Sequence, residues 1–389
     1  MFSVLKNIIS DIQQLSFLNK IILVILSILS IISISQGIVN SQIYSNDFQW
    51  SPTVLLSEGI NPYLYFLNNN YGDRVIGSQA PNYLHSLYVI LLPFAKLDWI
   101  VVKKIWLIIN ILLTIFTFLM IAKKIQLENI TLLFIFLIYL CSIPFRNSLG
   151  AGQQSILILF AFAFLFGENR LSYFFSGISY IKYSFAPPIA IYILIKQGAE
   201  RFLLSLLILF IGFVIFYIMQ NETNIYSLFI QPLMVSAKAV GYGVSDYMTI
   251  VSIVVSSDSN YLVALYYYIF PVFASLALTI FLVRNTSDVI YELTIISLIG
   301  LLFFKHLISD YIFLLPAFLY SIQNIRYFYS KISILCIFYF WFVVRVIYFF
   351  DNNYSMLHDY LLLSKVFNFL VLLLILIMVV ATKKQHTIS

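Results

Sequence analysis

Residues 21–63 read IILVILSILSIISISQGIVNSQIYSNDFQWSPTVLLSEGINPY, an apolar run that leads into the first long polar stretch of the chain. The apolar part, Ile21–Ser35, follows Lys20 and has no A-x-A cleavage site, so it predicts a retained first membrane span and not a signal peptide. The polar part, residues 46–63, begins with a carboxylate beside the bilayer and ends in a Gly–Ile–Asn–Pro–Tyr turn. Its candidates for contact with a substrate are Asp47, Glu58, Asn61 and Tyr63.

The composition indicates a membrane protein. Of the 389 residues, 62% are hydrophobic and 10% are charged, and the mean hydropathy is +0.97. Soluble domains carry about 25% charged residues, so this deficit, together with several uncharged runs of about 20 residues, predicts an all-α polytopic membrane protein. The net charge of +6 is small, and the basic residues mostly flank apolar runs. This pattern indicates contact with membrane lipids and not with nucleic acid.

Several chemistries lack their sequence signatures. Cys141 and Cys336 lie inside apolar runs without CxxC or metal-ligand spacing, which argues against a disulfide framework and a zinc site. The chain has no Gly-rich phosphate loop and no HExxH motif. We therefore expect no metal and no cofactor.

The hydrophobic pattern predicts one integral-membrane domain over residues 1–389 with about 12 transmembrane helices. Before them, residues 1–18 form an interfacial amphipathic helix. Residues 38–83 form a polar first extracytoplasmic loop, in which Thr53–Ser57 is a short helix, and residues 220–246 form a second. The predicted spans are 21–35, 84–96, 104–122, 129–145, 153–167, 171–195, 202–219, 261–283, 288–304, 311–323, 332–350 and 361–381.

The distribution of charge supports this order with one exception. Basic residues fall mostly in loops predicted to be cytoplasmic, as the positive-inside rule requires, but Lys123–Lys124 falls outside. The predicted spans at 84–96 and 129–145 are short. If one of these pairs is a re-entrant hairpin, the orientation of residues 97–170 is reversed.

Three basic residues lie inside predicted spans. Lys182, in SGISYIKYSFAPP, is either at a break between two half-helices or contacts an anion or headgroup in a cavity. Arg345 lies about one and a half turns below the outer end of its helix, where it either binds a phosphate or extends to the interface. Lys365 lies at the same depth, and there we favour extension to the interface.

Two further segments carry polar residues in an apolar setting. In FFKHLISDYIFLLP, residues 303–316, His306 and Asp310 are four apart and share a helix face, either as part of a site or as a solvated loop edge. In CSIPFRNSLGAGQQS, a glycine-loosened break precedes Gln153, which either binds a sugar or caps the next helix. Asp47 itself is either a helix N-cap or a general base that takes a proton from a hydroxyl nucleophile.

Five segments in this order resemble the integral-membrane glycosyltransferases of family 87, which have the C-type glycosyltransferase fold. They are DFQWSPTVLLSEGINPY, APNYLHSLYVILLPFA, GQQSILILFAFAFLF, GISYIKYSFAPPIAIYIL and HLISDYIFLLP, and they cover most of residues 47–316.

The resemblance implies an inverting transferase that moves a hexose, typically mannose, from a polyprenyl-phosphate donor to an extracytoplasmic glycolipid or glycan. It implies that Asp47 is the general base. Lys182 and His306 match further motif residues, while Lys305 departs from the family's often paired histidines. With Arg345, these three would bind the donor phosphate; the assignment of Arg345 comes from its depth and charge alone. The expected sugar or acceptor contacts are Glu58, Asn61, Tyr63, Gln153 and Asp310.

The main rival class is a transporter or flippase of a lipid-linked sugar. A lysine inside a span and a helix broken near Pro187–Pro188 would fit such a protein. The missing internal repeat and the long acidic outer loop after the first span argue against it. A third possibility is an inactive scaffold that keeps the fold. In the enzyme hypothesis the protein lies in the plasma (inner) membrane and its site faces the extracytoplasmic side.

Overall fold

The structure is a computed structural model that describes residues 11–69, 79–122, 124–125, 127–221, 224–238, 244–254, 269–346 and 358–388. Within these ranges every regular element is a helix, which confirms the all-α prediction. The first nine α-helices are α1 (Phe17–Ile43), α2 (Trp50–Ser57), α3 (Pro62–Leu67), α4 (His85–Leu91), α5 (Trp99–Ala122), α6 (Asn129–Cys141), α7 (Ile143–Ala151), α8 (Ser155–Ala163) and α9 (Arg170–Ser176). The next nine are α10 (Ala186–Tyr192), α11 (Ala199–Met219), α12 (Ile225–Lys238), α13 (Tyr247–Val254), α14 (Phe270–Val283), α15 (Val289–Phe303), α16 (Leu315–Gln323), α17 (Phe328–Phe338) and α18 (His358–Ile388).

Several of these helices fit a membrane span, so the chain is an integral membrane protein. Among the described residues, five helices are long and apolar enough to cross, or six if a bent pair counts as one span. The five are Phe17–Ile43, Trp99–Ile121, Ala199–Met219, Phe328–Val346 and Leu363–His386. The other apolar helices are shorter, so the count of about twelve stays a prediction. The predicted interfacial helix lies mostly before residue 11, outside the described residues.

The predicted span at 84–96 is the clearest difference. It is the short helix α4 followed by a 3₁₀ turn, Leu92–Phe94, and both of its ends contact the segment after α1. At one end the His85 ring lies 5.1 Å from that of Tyr63, and at the other the Trp50 indole donates to the Phe94 carbonyl at 3.2 Å. The segment is apolar because it is packed inside protein. Hydropathy alone does not distinguish such a helix from a span.

Because both ends of α4 lie against the segment after α1, the helix after it runs opposite to the predicted order. Trp99, at the start of α5, packs on Phe48 and Trp50, while Lys124, just beyond its end, lines a cavity with Glu292. We call these two ends of the bundle the Asp47 end and the Glu292 end. The chain then returns through α6 and α7, which are bent by 58° at Ser142. This is the reversed orientation of residues 97–170 that the short spans had left open.

The predicted span at 171–195 is two half-helices. A 3₁₀ turn, Gly177–Ile181, ends at Lys182, whose φ of −93° and ψ of 108° are extended, and α10 begins at Ala186. A break between half-helices was one of the two alternatives for Lys182. Pro187 stands in the first turn of α10, where its missing N–H costs no helical hydrogen bond.

The two predicted polar loops contain helices that pack on the bundle. In the first, α1 continues to Ile43, and α2 covers the predicted Thr53–Ser57 helix but is packed inside the bundle, with Leu56 fully buried. Residues 70–78 of that loop, with its Asp73 and Arg74, lie outside the described residues. The second loop, 220–246, contains the apolar helix α12. Both segments therefore cover the bundle at the Asp47 end instead of extending into water.

Candidate functional site

The segment after α1 is held by its backbone against the end of α7. The Asp47 N–H donates to the Ala151 carbonyl at 3.0 Å, and the Ser45 N–H donates to the Gly150 carbonyl at 3.3 Å. The Gln154 amide in turn donates to the Phe48 carbonyl at 2.8 Å. These bonds satisfy the hydrogen-bonding groups of an irregular backbone, and they fix the position of Asp47.

Gly152 makes this contact possible. It ends α7 with a φ of +67°, the left-handed conformation that glycine adopts without strain. A Cβ at Gly152 would lie 3.1 Å from the Phe48 Cβ, tighter than ordinary van der Waals contact. The Gly152 carbonyl also accepts from the Trp106 indole at 2.9 Å. The turn therefore brings the following residue, Gln153, to the segment that carries Asp47.

Gln153 binds the Asp47 carboxylate directly. Its Nε2 donates to Asp47 Oδ2 at 2.6 Å, and its Oε1 accepts from the Tyr83 hydroxyl at 3.4 Å. Gln153 is 2% exposed, whereas Asp47 keeps partial exposure. The Gln153 amide thus orients the Asp47 carboxylate. The alternative that Asp47 caps α2 is not what the structure contains, because the N-cap position is Gln49, without a side-chain cap.

Lys182 and Asp310 form a buried ion pair next to this bond. Lys182 Nζ contacts Asp310 Oδ1, and the two residues are 8% and 0% exposed. Asp310 also accepts from Ser155 Oγ at 2.5 Å and from the Leu307 N–H at 2.8 Å. With these partners the carboxylate is fully engaged in holding the break at Lys182 against the turn that follows α15.

The charges of the pair also act on Asp47. The pKa of Asp47 is raised to about 6, the net result of four influences: removal from water raises it, Lys182 lowers it, the Asp310 carboxylate raises it and the Gln153 bond lowers it. Removal from water is the largest of these effects. Asp47 is therefore a carboxylate with an affinity for protons suited to a general base near neutral pH.

A second branch of the site surrounds His306. Its Nε2 lies 3.1 Å from Ser245 Oγ, which also contacts the Tyr311 hydroxyl at 2.7 Å. Its Nδ1 lies 3.6 Å from Asp246 Oδ2 and 3.2 Å from the Phe304 carbonyl. Burial lowers the pKa of His306, although Asp246 opposes this effect. At pH 7 the imidazole is therefore neutral and offers a hydrogen bond without a charge.

Asp246 links this branch to two lysines. Its negative charge acts on Lys305 and on Lys365, and each of these also lies in partly buried surroundings. Burial lowers the pKa of Lys305 to about 8, so it stays largely charged at pH 7. Lys365 is 6% exposed and does not reach the bilayer surface as the sequence favoured. The site thus contains three lysines and three aspartates.

The remaining predicted site residues lie apart from this cluster. Glu58 is exposed at the end of α2. Asn61 caps α3 and donates to Gln231 at 2.9 Å, and Tyr63 is fully buried with its hydroxyl on the Tyr83 carbonyl at 2.7 Å. These contacts position Tyr83 for its bond to Gln153. Contact of Glu58, Asn61 and Tyr63 with sugar or acceptor stays a prediction, as does the phosphate role of Arg345, which is exposed elsewhere on the bundle.

Several residues of the cluster were not predicted from the sequence. These are Tyr83, Ser155, Ser245, Asp246 and Tyr311. Two of these residues carry a signal in the sequence. Ser155 follows the glycine-loosened break, and Tyr83 lies in APNYLHSLYVILLPFA, one of the five segments that resemble family 87. Asp246 carries only the signal of a helix cap, its bonds to the Thr249 N–H and hydroxyl. Its contact with His306, sixty residues on, has no local signature.

The arrangement supports acid–base chemistry on a hydroxyl group. A partly exposed carboxylate stands beside lysines that can offset negative charge on a departing group. In the described part of the chain, no three His, Cys, Asp or Glu side chains are grouped to hold a metal ion.

Substitution of Lys182 tests the buried pair. Lys182→Gln leaves the Asp310 charge buried without its cation, a loss of about 3–5 kcal/mol in other proteins, so the melting temperature in detergent should fall strongly. Lys182→Gln combined with Asp310→Asn removes both charges and should recover much of that loss. Equal melting temperatures for the single and double variants would contradict the buried pair.

Comparison with known proteins gives one match. The family model for glycosyltransferase family 87 matches residues 86–309, more than half of the chain. No curated protein and no solved structure matches the chain. The matched range, residues 86–309, contains Gln153, Lys182 and His306. Asp310 directly follows this range, whereas Asp47 lies well before it, and the fold brings both to the same cluster. The chain belongs to glycosyltransferase family 87.

Proposed function

We propose that this glycosyltransferase transfers a hexose, with mannose as the first candidate, from a polyprenyl-phosphate donor to an extracytoplasmic glycolipid or glycan, with inversion. Asp47 acts as the general base. The observation that carries this proposal is the partly exposed Asp47 carboxylate, oriented by Gln153 at 2.6 Å and placed next to Lys182.

The reaction uses this geometry in one displacement. The acceptor hydroxyl gives its proton to Asp47 as its oxygen attacks the anomeric carbon of the sugar. The bond between that carbon and the phosphate oxygen breaks, and polyprenyl phosphate leaves with the bonding electrons. Attack from the face opposite the phosphate inverts the anomeric centre.

The charges of the cluster suit the leaving group. Before reaction, Lys182, Lys305 and Lys365 are offset by Asp47, Asp246 and Asp310. When Asp47 takes the proton, the cluster gains one net positive charge at the moment when the departing phosphate gains one negative charge. In partly desolvated surroundings such compensation is stronger than in water. Lys305 and Lys365 are the better candidates for phosphate contact, because Lys182 is already bound to Asp310.

The transporter alternative is favoured by one observation, a cavity at the opposite end of the bundle. It measures about 560 Å³ and is lined by polar residues that include Lys196, Arg201 and Glu292. A transporter needs a path between the two ends. Between them, however, α15 is buried along its length, and the Phe185 ring packs against Gly300. We therefore favour glycosyl transfer over transport as the function of this protein.

The base assignment is tested by Asp47→Asn. This variant keeps the size and a hydrogen-bonding oxygen for Gln153 but cannot accept the proton, so hexose transfer from polyprenyl-phosphate hexose should fall by about 10²-fold or more. Its melting temperature should stay near that of the parent. The matched control is Asp98→Asn, an exposed aspartate that ends the segment after α4, which should retain activity. Full transfer by the Asp47 variant would refute the assignment.

The pH dependence of kcat/KM provides a second test. Below pH 6 Asp47 is increasingly protonated and cannot take the proton, so the rate should fall about tenfold by pH 5. Above pH 8 Lys305 loses its charge, so donor capture should weaken. Lys305→Arg keeps the charge and should remove the alkaline fall alone. A profile that is flat from pH 5 to 7 would argue against Asp47 as the base.

A further inference from the structure

Two arginines and a glutamine form a polar patch on the outer surface of the bundle, here called the arginine patch. Arg146 in α7 donates from Nη1 to Gln36 Oε1 in α1 at 2.6 Å. Arg345, in the helical continuation of α17, is exposed, as is Gln36, and Arg146 is half-buried. The patch therefore joins three helices that are far apart in sequence.

The arginine patch has no acidic partner in the part of the chain that the structure describes. The side chain of Arg146 has one hydrogen bond, to a neutral amide, and Arg345 makes no hydrogen bond or ion pair there. The charge that acts on Arg146 is the like charge of Arg345. Two cations that repel each other at a surface of low polarity are stabilised when an anion binds between them.

Aromatic packing connects the two helices that carry these arginines. The Trp341 ring lies 6.0 Å from that of Tyr139, and its indole donates to the Tyr311 carbonyl at 2.9 Å. Tyr139 packs on Phe145 at 5.2 Å, directly before Arg146. Arg345 is one helical turn beyond Trp341. The helix segments that carry the two arginines are therefore connected through a rigid interior.

The surroundings of the arginine patch identify the kind of anion. Exposed apolar side chains lie close to these residues in the same helices, namely Ile32, Val39, Val343 and Val346. Gln36 is seven residues from the end of α1, about 10 Å along the helix axis. A ligand here meets cations beside a hydrocarbon surface, so it has a charged head and an apolar tail. The planar donors of arginine match a phosphate in particular.

The arginine patch is separate from the reaction cluster. Ser148, two residues after Arg146 and hence on nearly the opposite face of α7, donates to the Ser309 carbonyl at 3.1 Å next to Asp310. Helix α7 therefore stands between Arg146 and the Lys182–Asp310 pair. A phosphate on the arginine patch is not the one that leaves the sugar at Asp47 in the same binding event.

We propose that Arg146 and Arg345, with Gln36, bind the phosphate of a membrane lipid at the lateral surface of the bundle. This lipid site does not rest on the proposed reaction. Its lipid is a polyprenyl phosphate or a phospholipid, which share the same headgroup chemistry.

Native mass spectrometry of the full chain in detergent tests the site with four probes. Polyprenyl phosphate and phosphatidylglycerol carry the phosphate with a tail, inorganic phosphate lacks the tail, and diacylglycerol lacks the phosphate. Affinity is compared for the parent, Arg146→Gln, Arg345→Gln, the double variant and Arg284→Gln. Arg284 is a matched control, because it is an exposed arginine at the end of α14.

We expect each patch variant to weaken binding of at least one phosphate lipid by about tenfold. The double variant should lose little more than either single variant, because the two arginines share one phosphate. The lipid most affected identifies the source, and competition by inorganic phosphate alone would reduce the site to a simple anion site and overturn the proposal. Equal binding by the double variant, the parent and Arg284→Gln would also overturn it. Melting temperatures near the parent value exclude unfolding as the cause.

Discussion

The buried ion pair between Lys182 and Asp310 is the interaction on which the site depends. A lysine in a span is costly unless its charge is paired, and an aspartate that is fully buried is costly for the same reason. Each residue therefore requires the other, and their pairing joins the break after α9 to the turn after α15. Ser155 adds the start of α8 to the same carboxylate. One ion pair thus brings three interruptions of the helical pattern to one place.

These interruptions lie together at the Asp47 end of the bundle. In a membrane protein, irregular backbone must find partners inside the protein. The segment around Asp47 finds them on the end of α7, where Gly152 allows close approach. The same requirement places α2, α3 and α4 as short helices against this end. The polar groups of this region therefore have two effects. They satisfy the hydrogen-bonding groups of the irregular backbone, and they orient the Asp47 carboxylate.

Local patterns in the sequence were sufficient where a feature depends on a single segment. The membrane class, the first span, the break at Lys182 and the short helix at Thr53–Ser57 each follow from composition or from one run of residues. The sequence was misleading at 84–96, because a segment buried inside protein is as apolar as one buried in lipid. It gave no sign of contacts between distant segments, such as the one between Asp246 and His306. Arg345 was assigned from its depth and charge alone, and neither tells one side of a helix from the other. The like charge of Arg345 acts on Arg146, and α7 lies between Arg146 and the reaction cluster.

A structure of the protein with a bound, unreactive phosphonate analogue of polyprenyl-phosphate hexose would test the central claim most directly. We expect the anomeric carbon of the bound analogue to lie in front of Asp47, with room for one acceptor oxygen between them. We expect the phosphonate to lie on the Lys305 and Lys365 side of the cluster. An analogue whose sugar lies in the Glu292-end cavity, or whose headgroup occupies the arginine patch while Asp47 faces no sugar, would contradict it.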